Sequence, residues 1–368
     1  MKRIIISFIF LLLLTSCNEE ISNDLKEQPN NIRTDASLTV HFIDVDQGSA
    51  TLFVHKDDEE EYVMLYDVGD WQRNDIVPYL EEQNIQKIDL IIVSHPHADH
   101  IGQLDNVLQH YKVDEIWMSG NSSDSEVFIH AMEAILNSDA NYVEPRAGDT
   151  FQIGNMKVEV IHPEKLTGDL NEDSISVRVT FGEISFIFTG DASRSEELQM
   201  IERTNDIQAQ VLQLGHHGSN TSSDPEFIRT VNPEVAIYSA GLDNSYGHPH
   251  DEVINLLKTE NIKVYGTDMD GSVVIQTDGA DYDITTTGKN VIDERPVEQE
   301  SVQDCIDINH ASEVELLEIT HIGEVRAKEL VELRPFHSVD ELIEINGIGP
   351  SKLNDIKEEG KACVGGGQ

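Results

Sequence analysis

The sequence predicts an α/β chain that ends in a small all-α domain. Three observations point there. Short apolar runs rich in branched residues recur between stretches of helical period over most of the chain. One such run, Asp89-Leu90-Ile91-Ile92-Val93-Ser94, stops abruptly at His95-Pro96-His97-Ala98-Asp99-His100, which places four metal-competent side chains at a strand end. Beyond a charged linker, a helical unit with a Gly-rich turn occurs twice.

Taken in order, Met1-Lys2-Arg3 and the apolar stretch Ile4 to Leu14 read as the charged and apolar parts of a signal peptide. The stretch is too short for the roughly 20 residues of a spanning helix. Leu14-Thr15-Ser16-Cys17 resembles a bacterial lipobox, so residues 1–17 are expected to be a lipoprotein signal and Cys17 the lipidated residue. The expected location is the extracellular face of the cell membrane, with the membrane as a partner through the lipid. Residues 18–37, dominated by Asn, Glu, Asp, Gln and Pro, form a solvated tether.

At 368 residues the chain has room for two domains. With Cys17 lipidated, Cys305 and Cys363 remain, and an even remainder in an exported protein predicts a disulfide that clamps the last segment. The net charge is −44, from 69 acidic residues against 25 basic ones, which weakens Coulomb attraction to any polyanion.

Strands open at Leu38 to Ile43, Thr51 to Val54 and Tyr62 to Tyr66, each bounded by turn or charged residues. After the histidine cluster, Asp99 to His110 reads as one helix and Ser125 to Leu136 as another, with Val127, Ile129, Met132 and Ile135 as core. Strands follow at Lys157 to Ile161, Ile175 to Phe181 and Ile184 to Phe188, with Gly182-Glu183 as a hairpin turn, and then at Ala209 to Leu214.

Imidazoles beside a carboxylate suit zinc, manganese or iron, and allow a harder site next to a softer one. The spacing His95-x-His97-x-Asp99-His100 resembles the signature of the metallo-β-lactamase-like hydrolases. That resemblance implies an αββα sandwich over residues 38–287 with two divalent metal ions, zinc or manganese, at its edge. It implies that His95 and His97 hold one metal and Asp99 and His100 the other. It also implies a bridging carboxylate after a later strand, which Thr189-Gly190-Asp191 supplies, and a further histidine after the next strand. Gly215-His216-His217-Gly218-Ser219 offers two; adjacent side chains at a strand end point apart, so one of them ligates, with His216 preferred and the choice left open.

Two loops and one later segment narrow the resemblance to the hydrolase domain of ComEC-type competence proteins. Asp44-Val45-Asp46-Gln47-Gly48-Ser49-Ala50 is similar to a DVGQGDA loop, with Asp46 at a Gly position and Ser49 at an Asp position, and Asp67-Val68-Gly69 is similar to a D-x-G turn. Asn244-Ser245-Tyr246-Gly247-His248-Pro249 is similar to an N-x-YGHP segment, which makes His248 a candidate general acid beside Asp99 as the catalytic residues. The loop Asn171-Glu172-Asp173-Ser174 carries no third histidine for the first metal, leaving Asp173 or water, and His162 reads as a turn residue.

Residues 288–303 form the linker. From 304 to 363 the repeated unit, with turns at His321-Ile322-Gly323 and Asn346-Gly347-Ile348-Gly349-Pro350, resembles the paired helix-hairpin-helix domain of ComEA-type DNA receptors. The resemblance implies that Gly323, Gly347, Gly349 and Lys352 meet the DNA backbone without reading sequence. His321 replaces the usual Gly, and the acidic surroundings predict weak, salt-sensitive binding. The sequence therefore points to a lipid-anchored, metal-dependent phosphodiesterase or nuclease acting on extracellular DNA, linked to DNA uptake. The alternatives are a cell-wall enzyme of the phosphorylcholine esterase kind and a non-catalytic DNA receptor.

Overall fold

Strands with both faces apolar need cover on both sides, and the fold supplies it. The computed structural model describes residues 37–57, 60–204, 206–288, 306–317, 319–336, 338–349, 352–353, 356–357 and 361–364. Two units divide the chain, Met1–Lys289 and Asn290–Gln368. Cys17, Cys305 and the tether up to residue 36 lie outside the described residues. No helix among the described residues is long and apolar enough to cross a membrane.

Among the described residues the first unit holds fifteen strands: β1 Ser37–Phe42, β2 Thr51–Asp57, β3 Glu60–Tyr66, β4 Lys87–Ile92, β5 Lys112–Trp117, β6 Asn141–Val143, β7 Thr150–Ile153, β8 Met156–His162, β9 Ser176–Phe181, β10 Ile184–Phe188, β11 Val211–Gln213, β12 Val235–Tyr238, β13 Lys263–Gly266, β14 Val273–Thr277 and β15 Tyr282–Thr286. They form an eight-stranded sheet in the order β15-β14-β1-β2-β3-β4-β5-β6 and a seven-stranded sheet in the order β13-β12-β11-β10-β9-β8-β7. Each sheet is antiparallel at one side and parallel at the other, with β3, β4, β5 and β6 parallel in the first and β10, β11, β12 and β13 parallel in the second.

Alternation along the strands sets the layers. Leu90 and Ile92 of β4 and Phe186 and Phe188 of β10 belong to one buried cluster that joins the two sheets. Ile91 instead packs outward against α1 (Ile76–Glu82), α3 (Leu104–His110) and α4 (Glu126–Asn137). On the other side Ile187 packs against α5 (Arg194–Arg203), α6 (Pro225–Val231) and α7 (Asp251–Thr259). The result is an αββα sandwich, and α4 starts as the sequence indicates, with Ser125 Oγ accepting from Phe128 N at 3.2 Å.

One predicted helix is two. The segment expected to run from Asp99 to His110 breaks into α2 (Ala98–Ile101) and α3. Gly102 sits at the break because the Asp70-Trp71 backbone crosses it: a Cβ there would lie 2.1 Å from Trp71 N. Gln103 then turns inward, and its Oε1 accepts from Asp75 N at 3.0 Å and Ile76 N at 3.1 Å, the start of α1. A further short helix, α8 (Thr267–Asp270), follows β13.

The second unit is built on α9 (Glu313–Leu316), α10 (Glu324–Leu333) and a 3-10 turn over Val339–Glu344, around a cluster that includes Ile308, Leu316, Leu330, Phe336 and Leu342. It departs from the expected all-helical character at one place, a parallel pair of two-residue strands, Ile306–Asp307 and Ala362–Cys363. Cys363 is disulfide-bonded, and its expected partner Cys305 lies outside the described residues.

Candidate metal centre

Parallel strands release their C-terminal ends on one edge, and side chains leaving such ends converge. Asp67 follows β3, His95 follows β4, Asp191 follows β10, and His216 and His217 follow β11. Gly190 allows the approach of the third loop: it takes φ +57, and a Cβ would lie 2.8 Å from Ser94 Cβ.

Two groups of ligand atoms form there, each with all members within 4.8 Å of one another: His95, His100 and Asp191, and Asp99, His100 and His217. His95 Nε2 and His97 Nδ1 face each other at 2.9 Å. Asp191 lies between the groups, with Oδ1 3.3 Å from His100 Nε2 and Oδ2 3.5 Å from both His95 Nε2 and His216 Nε2. His217 Nε2 lies 3.4 Å from Asp99 Oδ2. The structure therefore brings together His95, His97, Asp99, His100, Asp191, His216 and His217, but not Asp173.

The geometry favours His217 over the preferred His216 as the ligand beside Asp99 and His100. His216 and His217 adopt φ +51 and +57 in a left-handed 3-10 turn, where strand alternation does not apply. His217 is buried, its Nδ1 bonded to Ser239 O at 2.8 Å, and its Nε2 points at the Asp99 and His100 pair. His216 is partly exposed, tied through Nδ1 to Thr221 Oγ1 at 3.0 Å, and reaches only Asp191.

Electrostatics agree with this geometry. Burial would lower His100, but Asp191, Asp67 and Asp99 outweigh it and hold it at about 10. Burial would raise Asp191, but His100, His95, His217 and His216 hold it at about 2. Burial, reinforced by His100, pushes His95 well below the ordinary imidazole range. Three carboxylates around one imidazole demand a positive charge, which a proton or a metal ion can provide.

The donor set fits metal ions on a second ground. His100 Nε2, His217 Nε2, Asp191 Oδ1 and Asn171 Oδ1 are buried and make no hydrogen bond. Buried polar atoms are nearly always bonded, so four orphans around one cleft mark a place for cations.

Several contributors have no local sequence signal of their role. Asp67 is fully buried, with Oδ1 accepting from Ser94 N at 2.8 Å and Oδ2 meeting Ser94 Oγ at 3.0 Å and His100 Nδ1 at 2.7 Å. It thus turns His100 Nε2 toward the centre. Asn171 lines the cleft, whereas Asp173 is spent on its own loop, accepting from Thr167 N, Gly168 N and Asn121 Nδ2 at 2.7, 2.8 and 2.8 Å. His162 Nε2 is 2.6 Å from Glu172 O, so it braces the Asn171 loop. Gln47 meets Gly241 N through Oε1 at 3.2 Å and His248 Nδ1 through Nε2 at 3.5 Å.

In the second unit Gly323 caps α10, Gly347 takes φ +82, and His321 takes φ +67 where glycine is usual. Lys352, expected to face DNA, donates to Gly347 O at 2.9 Å. Arg326 spans both turns, donating to His321 O at 2.7 Å, Asn346 O at 3.2 Å and Gly347 O at 3.3 Å. A Cβ at Gly323 or Gly349 would meet nothing within 4 Å, so both turns are open to approach.

The sequence profile of the metallo-beta-lactamase superfamily matches residues 43–241, that is 199 of 368 residues. The chain belongs to the metallo-beta-lactamase superfamily. Its hydrolase fold binds divalent metals, often two, and the donors above are the candidates here. A helix-hairpin-helix motif matches residues 301–359. The matched region is similar to parts of competence proteins: ComE operon protein 3 of Bacillus subtilis (strain 168) is 32% identical over 199 residues, 54% of this chain and 26% of that protein. Competence protein ComA of Neisseria gonorrhoeae is 31% identical over 214 residues, 57% of this chain and 28% of that protein. A protein named Deoxyribonuclease from Thioalkalivibrio sp. (strain K90mix) is 48% identical over 60 residues, 16% of this chain and 17% of its own length. The chain thus spans little more than a quarter of either competence protein.

Proposed function

We propose that this chain is a metal-dependent phosphodiesterase that cuts DNA. The observation that carries the reading is one chain joining a centre of orphaned buried metal donors to a helix-hairpin-helix motif. Two zinc or manganese ions bound at these donors would supply a hydroxide near neutral pH and neutralise charge on a phosphoryl oxygen. His95, His97 and Asp191 would hold one ion, with Asn171 Oδ1 facing the cleft beside them. Asp99, His100 and His217 would hold the other, with Asp191 between.

His248 stands over His216 and His217, with ring centroids at 5.6 and 6.0 Å. Burial, then His217, His216 and His250, push it down to about 4, so it is neutral near pH 7. Gln47 Oε1 is taken by Gly241 N, so its amide nitrogen faces His248 Nδ1 and leaves the imidazole proton on Nε2. That N–H can hydrogen-bond a leaving oxygen but, on a neutral ring, does not protonate it, so His248 serves as a hydrogen-bond donor rather than the general acid the sequence suggested.

Single- and double-stranded DNA incubated with the full chain and Mn²⁺ or Zn²⁺ tests the reading. Cutting that disappears in Asp191→Ala, by a hundred-fold or more on the order expected for a lost metal centre, supports it. DNA that is bound yet stays intact with either metal would replace it by a receptor reading. The same proposal holds the chain at the outer face of the membrane through lipid on Cys17. Release of Cys17→Ser from the membrane fraction is the expected result, and retention there would rule the anchor out.

A further inference from the structure

Three rings lead out of the candidate metal centre in a nearly parallel series. His217, buried beside Asp99, is followed by His248 at a centroid distance of 6.0 Å and 17° between planes. Tyr246 continues the series, 5.7 Å from His248 at 19°. These are offset-stacked separations. The inner ring is 4% exposed and the outer one 66%, so the series begins at the metal donors and ends on a face open to solvent.

The loop that carries the two outer rings is pre-set. Asn244 Oδ1 accepts from Tyr246 N at 3.2 Å and His248 N at 3.0 Å, while its Nδ2 donates to His248 O at 2.6 Å and Gly241 O at 2.9 Å. Gly247 between the rings takes φ +73, a conformation that places residues two apart side by side. Orientation is therefore fixed before any ligand arrives, which lowers the ordering cost of binding.

Tyr246 and His248 line one cleft of about 320 Å³ with Gln47, His97, Asp99 and Asp191. That volume is at the small end for ligand pockets and suits a single nucleotide unit. A base in a duplex has both faces covered by its neighbours and must leave the stack to offer one. With a net charge of −44, the chain draws little affinity for a polyanion from its overall field, whereas stacking is indifferent to charge and tolerant of sequence.

We infer that the Tyr246 face is a nucleobase platform and that the substrate is an unpaired strand, one base extending the series Tyr246–His248–His217 while a phosphate further along the same strand lies at the metal donors. This rests on the phosphodiesterase reading for the phosphate, but the platform can be probed without any cleavage. Calorimetric titration of the full chain with thymidine 5′-monophosphate and with deoxyribose 5-phosphate compares a ligand with a base to one without. The nucleotide should bind on the order of ten-fold tighter, the scale of a single base stacked on an aromatic ring. Tyr246→Ala should bring that ratio towards one, and Tyr246→Phe should retain it. Equal binding of the two ligands by the native chain overturns the platform, as does a ratio that survives Tyr246→Ala. Cleavage adds a second readout: the preference for single-stranded over duplex DNA in kcat/KM should narrow in Tyr246→Ala and persist in Tyr246→Phe. Base-dependent binding that needs Tyr246, without cleavage of any DNA, would support the platform and sink the nuclease reading.

Discussion

Asp67 shows how a residue outside the ligand set decides what a ligand can do. Its carboxylate accepts from His100 Nδ1 at 2.7 Å, which fixes a proton there and leaves Nε2, aimed at Asp191 and Asp99, as the nitrogen where a metal ion would replace the second proton. In Asp67→Asn the amide would donate to Nδ1 instead and force the proton onto Nε2. Metal affinity at the Asp99, His100 and His217 group is expected to fall about 10- to 100-fold, read by competition against a chromophoric chelator. Unchanged affinity in a variant with native melting temperature would remove Asp67 from the centre. At this scale the sequence discloses what is contiguous: His95, His97, Asp99 and His100 are legible because one strand end delivers all four. Asp67 was visible as a turn but not as a partner of His100, because 33 residues and a strand crossing separate them. The choice between His216 and His217 was illegible because it depends on two consecutive left-handed residues that strand geometry does not anticipate.

Elements were legible where burial on both faces leaves a continuous apolar signature, as in β4 and β10, and less so where a neighbour intervenes. The break at Gly102 is caused by the Asp70-Trp71 backbone, which no local pattern of residues 98–110 could show. The contact between β1 and α1 is of the same kind and carries a pH dependence. His41 on β1 is 7% exposed, its Nδ1 3.0 Å from Tyr79 Oη on α1, and burial lowers it from 6.5 to about 4. A depressed imidazole favours the neutral form in the folded state, so its contribution is fully present above 6.5 and is lost as pH falls through about 4. At about 1.4 kcal/mol per unit, the loss attributable to His41 is at most about 3.5 kcal/mol. Urea unfolding of native chain and His41→Gln from pH 7 to 4 measures it: the fall in stability should be shallower in the variant. Parallel falls would mean that His41 is protonated without cost in the fold.

At the scale of the whole molecule, an acidic chain carrying a helix-hairpin-helix motif raises the question of what would attract DNA. The basic side chains that the sequence offers for the task are partly committed elsewhere. Arg326 holds the carbonyls of both turns, Lys352 holds Gly347 O, and Arg334 donates to Ile308 O at 2.7 Å. The turns are left to bind phosphate through backbone N–H groups and the start of α10, which do not displace counterions as a lysine or arginine does. The number of phosphates neutralised by side chains should then be small. If about two or three are, log affinity against log salt has a slope of about −2 to −3, since each phosphate contributes close to −0.9. Fluorescence anisotropy of a labelled duplex between about 50 and 200 mM salt, with the metal centre disabled by Asp191→Ala so that the probe stays intact, gives that slope directly. A slope steeper than about −5 would mean that a cationic surface carries the binding, contrary to the internal use of Arg326, Arg334 and Lys352. In Arg326→Ala the slope should hardly change while affinity drops, because the guanidinium shapes the turns and does not itself face the phosphate.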